Sequence, residues 1–272
     1  MRAPVYRGPA ETDWGLPPFT HADIWRDLRD AAQAVFHHLF VQSAQVRRLH
    51  KDLRRSPGPI RVSIGSGRTV PGDGWVGLDF RTGPHVYKCD LRKPLPFRDG
   101  TVDVVLAEHI VEHFWFDDIQ RLFLEFFRIL RPEGTLRVVC PDALIVCDLL
   151  QGDSNERTKL QIKMDARMHR WQLSDATPLR VANRMAYEFG NHKSLLTEQA
   201  LIDFSATAGF TGIAATTIDK SVYFETPPGT HLARYPDGVL EAIVIEARRP
   251  PAAAMSDSGE QAPVAPTVDG GM

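Results

Sequence analysis

Two histidines one helical turn apart with a glutamate between them, His109-x-x-Glu112-His113, can do two kinds of chemistry. The letters match the H-x-x-E-H signature in which paired histidines hold zinc and the glutamate acts as a base. The same residues also suit proton transfer near neutral pH, where imidazole titrates. A second set lies upstream. Gly65-Ser66-Gly67 follows the apolar run "IRVSI", and a G-x-G turn lets the backbone approach a ligand because no Cβ intervenes. Asp79 closes the next apolar stretch, and Asp90 follows eleven residues later. At the end of a second parallel strand a carboxylate is placed to accept from both hydroxyls of a ribose, and at the end of a third from an exocyclic amino group.

Such groups meet only if the ends of several strands are gathered. Pieces rich in β-formers recur as "IRVSI", "WVGLDF", "HVYK", "VDVVLA" and "TLRVVC", with turns and helices between them. This predicts the α/β class, as a doubly wound, mostly parallel seven-stranded sheet. The clearest helix is "DDIQRLFLEFFRIL", with Ile119, Leu122, Phe123, Phe126, Phe127 and Leu130 on one stripe. Asp117 and Asp118 suit its positive pole, Arg128 and Arg131 its negative pole, and Pro132 with Gly134 should stop it. Residues 143–195 read as a mostly helical insert with a slight cationic excess. After it "TEQALIDFSATAGF" reads as a capped helix ending at Gly209, and "FTGIAATTI" and "LEAIVIEAR" as a closing hairpin.

This catalytic-type domain is expected over residues 58–249. Before it, residues 1–57 form a mainly helical extension, opened by Thr20 and Asp23 as a capping box. Its basic end, Arg47, Arg48, Lys51, Arg54 and Arg55, reads either as a grip on an anion or as a solvated face that complements the helix dipole. Beyond it, residues 250–272 are almost free of large apolar side chains and are expected to be disordered.

A chain of 272 residues, 43% hydrophobic and 24% charged, can bury a full core. Its net charge of −2 provides no basic field for nucleic acid. No run reaches the roughly 18 apolar residues that span a bilayer, so the expectation is a cytoplasmic protein with neither membrane nor nucleic-acid partner. Cys89, Cys140 and Cys147 form no CxxC pair and read as small buried apolar residues. Oligomeric state leaves no trace in the sequence.

Taken in order, "IGSG", "GWVGLDF", "CDL", "PLPF", "AEHIVEH", "LRPEGTLRVVCPD" and the later "HKSLLT" resemble the Rossmann-like, class I S-adenosylmethionine-dependent methyltransferases. The resemblance covers residues 58–142 closely and 190–247 loosely. It implies S-adenosyl-L-methionine as cofactor and methyl transfer to oxygen or nitrogen of a small-molecule or glycan-type acceptor. By position it implies Gly65 and Gly67, with Ser66 between them, under the methionine part of the cofactor, and Asp79 with Phe80 at the ribose. It further implies Asp90 and Leu91 at the adenine edge, and Glu108 with His109 beside the transferred methyl.

The chain departs from that pattern at the first loop. A third glycine is missing, Arg68-Thr69 standing after Gly67, and twelve residues from Gly67 to Asp79 leave no room for a crossover helix and a strand. Arg68 is then the candidate for holding the cofactor carboxylate. A dehydrogenase fingerprint needs both the glycine and the helix. The zinc reading needs His109 and His113 on a long helix and a third ligand such as Glu188 or His192, whereas only a short turn separates "VDVVLA" from Asp117. No metal is therefore assigned. His109 becomes the first candidate base, His192 the second and His113 a structural residue. A cofactor-binding module without catalysis, and a zinc hydrolase using His109, Glu112 and His113, stay as alternatives.

Overall fold

The computed structural model describes residues 43–230 and 242–252. The helix opened by Thr20, the first residues of "LEAIVIEAR" and nearly all of the segment expected to be disordered lie outside these. The strands are β1 (Arg61–Ile64), β2 (Trp75–Asp79), β3 (Val86–Lys88), β4 (Val102–Glu108), β5 (Leu130–Pro141), β6 (Thr211–Thr216) and β7 (Ala242–Arg248). They form one sheet in the order β3-β2-β1-β4-β5-β7-β6. Strands β1 to β5 pair in parallel, and β7 runs antiparallel to both β5 and β6. The chain thus adopts the α/β, mostly parallel seven-stranded sheet that its sequence predicts. The last two strands are antiparallel neighbours, but residues 217–241 separate them, so they form no tight hairpin.

Among the described residues, no α-helix lies between β1 and β4; turns and loops make those connections. Between β1 and β2 this is what the twelve residues from Gly67 to Asp79 predict. Six α-helices stand among the described residues: α1 (Ser43–Arg55), α2 (Phe116–Ile129), α3 (Ala143–Gln151), α4 (Glu156–Met168), α5 (Pro178–Tyr187) and α6 (Glu198–Thr207). The core forms because Val62 and Ile64 of β1, Leu78 of β2, and Val105 and Ala107 of β4 bury against Ile119, Phe123 and Phe126 of α2. Each large apolar side chain so buried contributes about 1.5–3 kcal/mol.

Helix α2 stops at Ile129, earlier than the Pro132 and Gly134 signals suggest. Tertiary donors end it: the amides of Gly100 and Thr101 take the carbonyls of Arg128 and Ile129, each at 2.9 Å. Leu130 and Arg131 then belong to β5, and Arg131 pairs with Asp103 instead of closing a helix.

Helices α3, α4 and α5 carry a separate small core of Ile145, Val146, Leu149, Val181, Ala182 and Met185. Side chains cap all three at their starts: Asp142, Asn155 and Thr177. Cys89 and Cys140 are buried as expected, with burial raising both thiols, but Cys147 is exposed on α3. No helix among the described residues is long and apolar enough to cross a membrane.

Candidate active site

The carboxyl ends of β1, β2 and β4 open onto a cavity of about 630 Å³. Gly65 and Gly67 leave β1 with φ of +68° each, a conformation that costs glycine nothing. Gly65 is also required by contact, since a Cβ there would overlap Ile110. The Gly67 amide donates to Asp79 Oδ2 at 2.9 Å and the Arg81 amide to Oδ1 at 2.8 Å. A carboxylate has about four acceptor sites, so Asp79, on the cavity wall, still has capacity for two incoming hydroxyls.

Ser66 belongs to the lining. Its hydroxyl oxygen is buried, has no hydrogen-bond partner among the described residues, and occupies the place where a side chain on Gly77 would begin. The glycine inside "WVGLD" is the sequence signal for this packing.

Phe80, 59% exposed, extends the wall together with Leu91, Arg81 and Arg92. Asp90 does not reach it. Arg92 grips that carboxylate with Nε at 2.9 Å from Oδ1 and Nη2 at 3.0 Å from Oδ2. Partial burial pushes the Asp90 carboxyl up, and the Arg92 guanidinium more than offsets this and holds it below the usual range. Arg68 also lies off the wall, where Arg81 and Arg92 supply the positive charge instead.

Glu108 and His109, at the end of β4, form the opposite wall. Thr230 donates to the Glu108 carboxylate through its amide at 3.0 and 2.9 Å and its hydroxyl at 2.7 Å. Nothing in the sequence marked Thr230. His109 stands at φ +52°, with its amide bonded to the Val139 carbonyl at 2.8 Å. Left-handed backbone is uncommon for a non-glycine residue, and here it turns the chain sharply off the strand.

The residues after it form a 3-10 turn, Val111–His113, so His109 and His113 do not share a helix face as the zinc-hydrolase alternative requires. Glu112 is 3% exposed, and His109 Nδ1 stands 3.5 Å from its Oε1. Burial pushes the Glu112 carboxyl up; His109 and then His113 outweigh it and keep the group below the usual range. The Glu112 carbonyl accepts from Lys193 and Ser194 amides at 2.8 and 3.2 Å, stitching the segment after α5 to this turn.

That stitch decides which of the later residues reach the cavity. Gly190, Asn191 and Lys193 line it together with His113 and Trp115. His192, the second candidate base, does not: Nδ1 is held 2.6 Å from the Met185 carbonyl and the ring packs behind His113. Burial lowers its basicity, and Glu112 only partly restores it.

The cavity is large enough for a nucleoside-sized cofactor. Its glycine turn, its acid at the end of β2 and its apolar flank Phe80 and Leu91 fit S-adenosylmethionine. Residues 76–138 match the family described as "Methyltransferase domain". Comparison with curated protein sequences finds no match. Among solved structures, the chain is similar to a Thermotoga maritima SAM-dependent methyltransferase described as a possible histamine N-methyltransferase. Identity is 18%, 82% of this chain and 97% of that one are covered, and the TM-score is 0.41. A SAM-dependent methyltransferase from Archaeoglobus fulgidus is 14% identical over 79% of this chain and 99% of that one, with a TM-score of 0.42. The Burkholderia thailandensis 1,6-didemethyltoxoflavin-N1-methyltransferase is 13% identical over 86% and 92%, with a TM-score of 0.39. The methyltransferase-domain match runs from β2 through most of β5, in a sheet of this strand order, and supports a methyltransferase that uses S-adenosylmethionine as its cofactor.

Proposed function

We propose that the protein methylates an oxygen or nitrogen of a small-molecule or glycan-type acceptor bound between His109 and the Asn191–Lys193 segment. The observation that carries this reading is His109 itself, on the cavity wall beside Glu108, with the buried Glu112 carboxylate 3.5 Å from Nδ1. A carboxylate on that side favours the Nδ1–H tautomer and leaves the Nε2 lone pair to take a proton. The cofactor supplies an electrophilic methyl on a sulfonium sulfur. Toward it, Gly65 and Gly67 offer backbone, Asp79 accepts from the ribose diol, Phe80 and Leu91 flank the adenine, and Glu108 borders the methionine part. His109 removes the acceptor proton as the new bond to carbon forms. Alignment of the acceptor against the methyl provides most of the rate, and a positioned base adds about 10²–10⁴-fold.

On the acceptor side Trp115, 63% exposed, offers an aromatic face next to Lys193 and Asn191. Such a surface suits a hydroxylated or weakly anionic molecule. A screen of hydroxyl- and amine-bearing acceptors with labelled cofactor tests the proposal. Binding of S-adenosylhomocysteine without transfer to any of them would favour a cofactor-binding module in place of an enzyme of this specificity.

A further inference from the structure

Behind the cavity wall, Glu112, His113 and His192 each present one ligand-type atom within 4.8 Å of the other two. Three features of this group belong together. First, the Glu112 carboxylate is 3% exposed, and beyond the long contact with His109 Nδ1, 3.5 Å from Oε1, neither oxygen has a hydrogen-bond partner among the described residues. A buried carboxylate so sparsely partnered is costly unless a cation compensates it. Second, both imidazoles are held through Nδ1 by backbone carbonyls: His113 by Asn191 at 3.2 Å and His192 by Met185 at 2.6 Å. A carbonyl only accepts, so Nδ1 carries the proton and Nε2 carries the lone pair. Third, His192 Nε2 faces Glu112 Oε1 at 4.0 Å, lone pair against lone pair. With both rings neutral the cluster holds three acceptors and supplies no donor for them.

We propose that Glu112, His113 and His192 bind a divalent first-row transition ion, zinc being the probe of choice. Two imidazoles and a carboxylate are a donor set that such ions take, and a carbonyl on the far nitrogen is the usual second partner of a ligating histidine. Tetrahedral zinc with bonds of about 2.0–2.1 Å needs ligand atoms about 3.4 Å apart. The three atoms, within 4.8 Å of one another, therefore draw together by up to about 1.4 Å on loading. This set differs from the zinc-hydrolase pattern, since His109 is replaced by His192 and the glutamate is a ligand. Three protein ligands leave a fourth position for water or an acceptor oxygen, and His113 lies on the cavity wall. The ion would clamp the 3-10 turn after β4 to the segment that returns from α5.

The proposal stands independently of the methyl acceptor, and its test reads metal alone. The full chain, stripped with chelator, is titrated with Zn²⁺ by calorimetry and with Co²⁺ by visible absorption. One equivalent of zinc and the d–d bands of a low-symmetry, four- or five-coordinate cobalt site are expected. His192→Ala and Glu112→Gln should each weaken binding at least about 100-fold, the upper end of what losing a mere outer-shell partner costs. His50→Ala, outside the cluster, should leave it unchanged. Circular dichroism and S-adenosylhomocysteine binding report whether each variant is folded. A folded wild-type chain that takes up less than stoichiometric zinc overturns the proposal, as does a folded His192→Ala that binds it as well as wild type.

Discussion

The amide of Gly67 donates to Asp79 Oδ2 at 2.9 Å, so the loop leaving β1 and the acid ending β2 form one unit. This bond, with that of Arg81, orders a connection in which no crossover helix stands. It also aims Asp79 at the cavity.

Asp79→Ala should weaken S-adenosylhomocysteine at least about tenfold, since hydrogen bonds to a charged group contribute about 1.5–3 kcal/mol each. Asp90→Ala should change it less than about threefold, because that carboxylate is spent on Arg92. Calorimetric titration of the two variants separates them. Equal losses would move the adenine contact to the Asp90 side chain.

For His109 the informative replacement is asparagine, which tolerates the observed φ of +52° better than alanine. His109→Asn should lower the transfer rate about 10²–10⁴-fold while S-adenosylhomocysteine affinity moves less than about threefold. Single-turnover rates measured beside binding check this, and an unchanged rate removes His109 as base.

The Thr230 clamp on Glu108 is tested at the residue before it. Gly229 stands at φ +151°, and a Cβ there would come within 2.7 Å of Glu108 Oε1. Gly229→Ala should displace the carboxylate and weaken cofactor binding several-fold. Thr230→Val, which keeps the backbone donor, should cost less, about twofold. Cofactor titration of both variants gives the order.

Arg137 and Glu246, both wholly buried, pair between β5 and β7, while Glu246 also accepts from Ser221 and the Val222 amide. Replacing Arg137 alone with leucine should cost about 3–5 kcal/mol in urea unfolding, because a buried charge is left behind. Adding Glu246→Leu should recover part of that loss. The Ser221 and Val222 donors stranded by the double change set the remainder.

Tyr87 of β3 donates to Asp52 of α1 at 2.8 Å. Burial first, and Asp52 second, push its phenol up to about 12. A raised folded pKa means stability that is intact below the unfolded value, about 10, and lost as pH rises from there toward 12. Unfolding midpoints followed across that window should fall more steeply for wild type than for Tyr87→Phe.

The strand pieces, the glycine turn and the spacing of Asp79 were legible in the sequence because they obey local rules: apolar periodicity, absent Cβ atoms and loop length. Even the missing crossover helix followed from the twelve residues between Gly67 and Asp79. Side-chain aim was another matter. Asp90 turned from the cavity to Arg92, and His192 was held back by Met185. Thr230 reached Glu108 across 122 residues of chain, and the end of α2 was set by amides of Gly100 and Thr101. In each case the deciding partner was a hydrogen-bonding group with little to mark it by type, brought close only when the sheet and its connections had formed. The motif that began as a zinc signature shows the same division. Its letters name Glu112 and His113, while the 3-10 turn and the returning segment bring His192, from outside the motif, beside them.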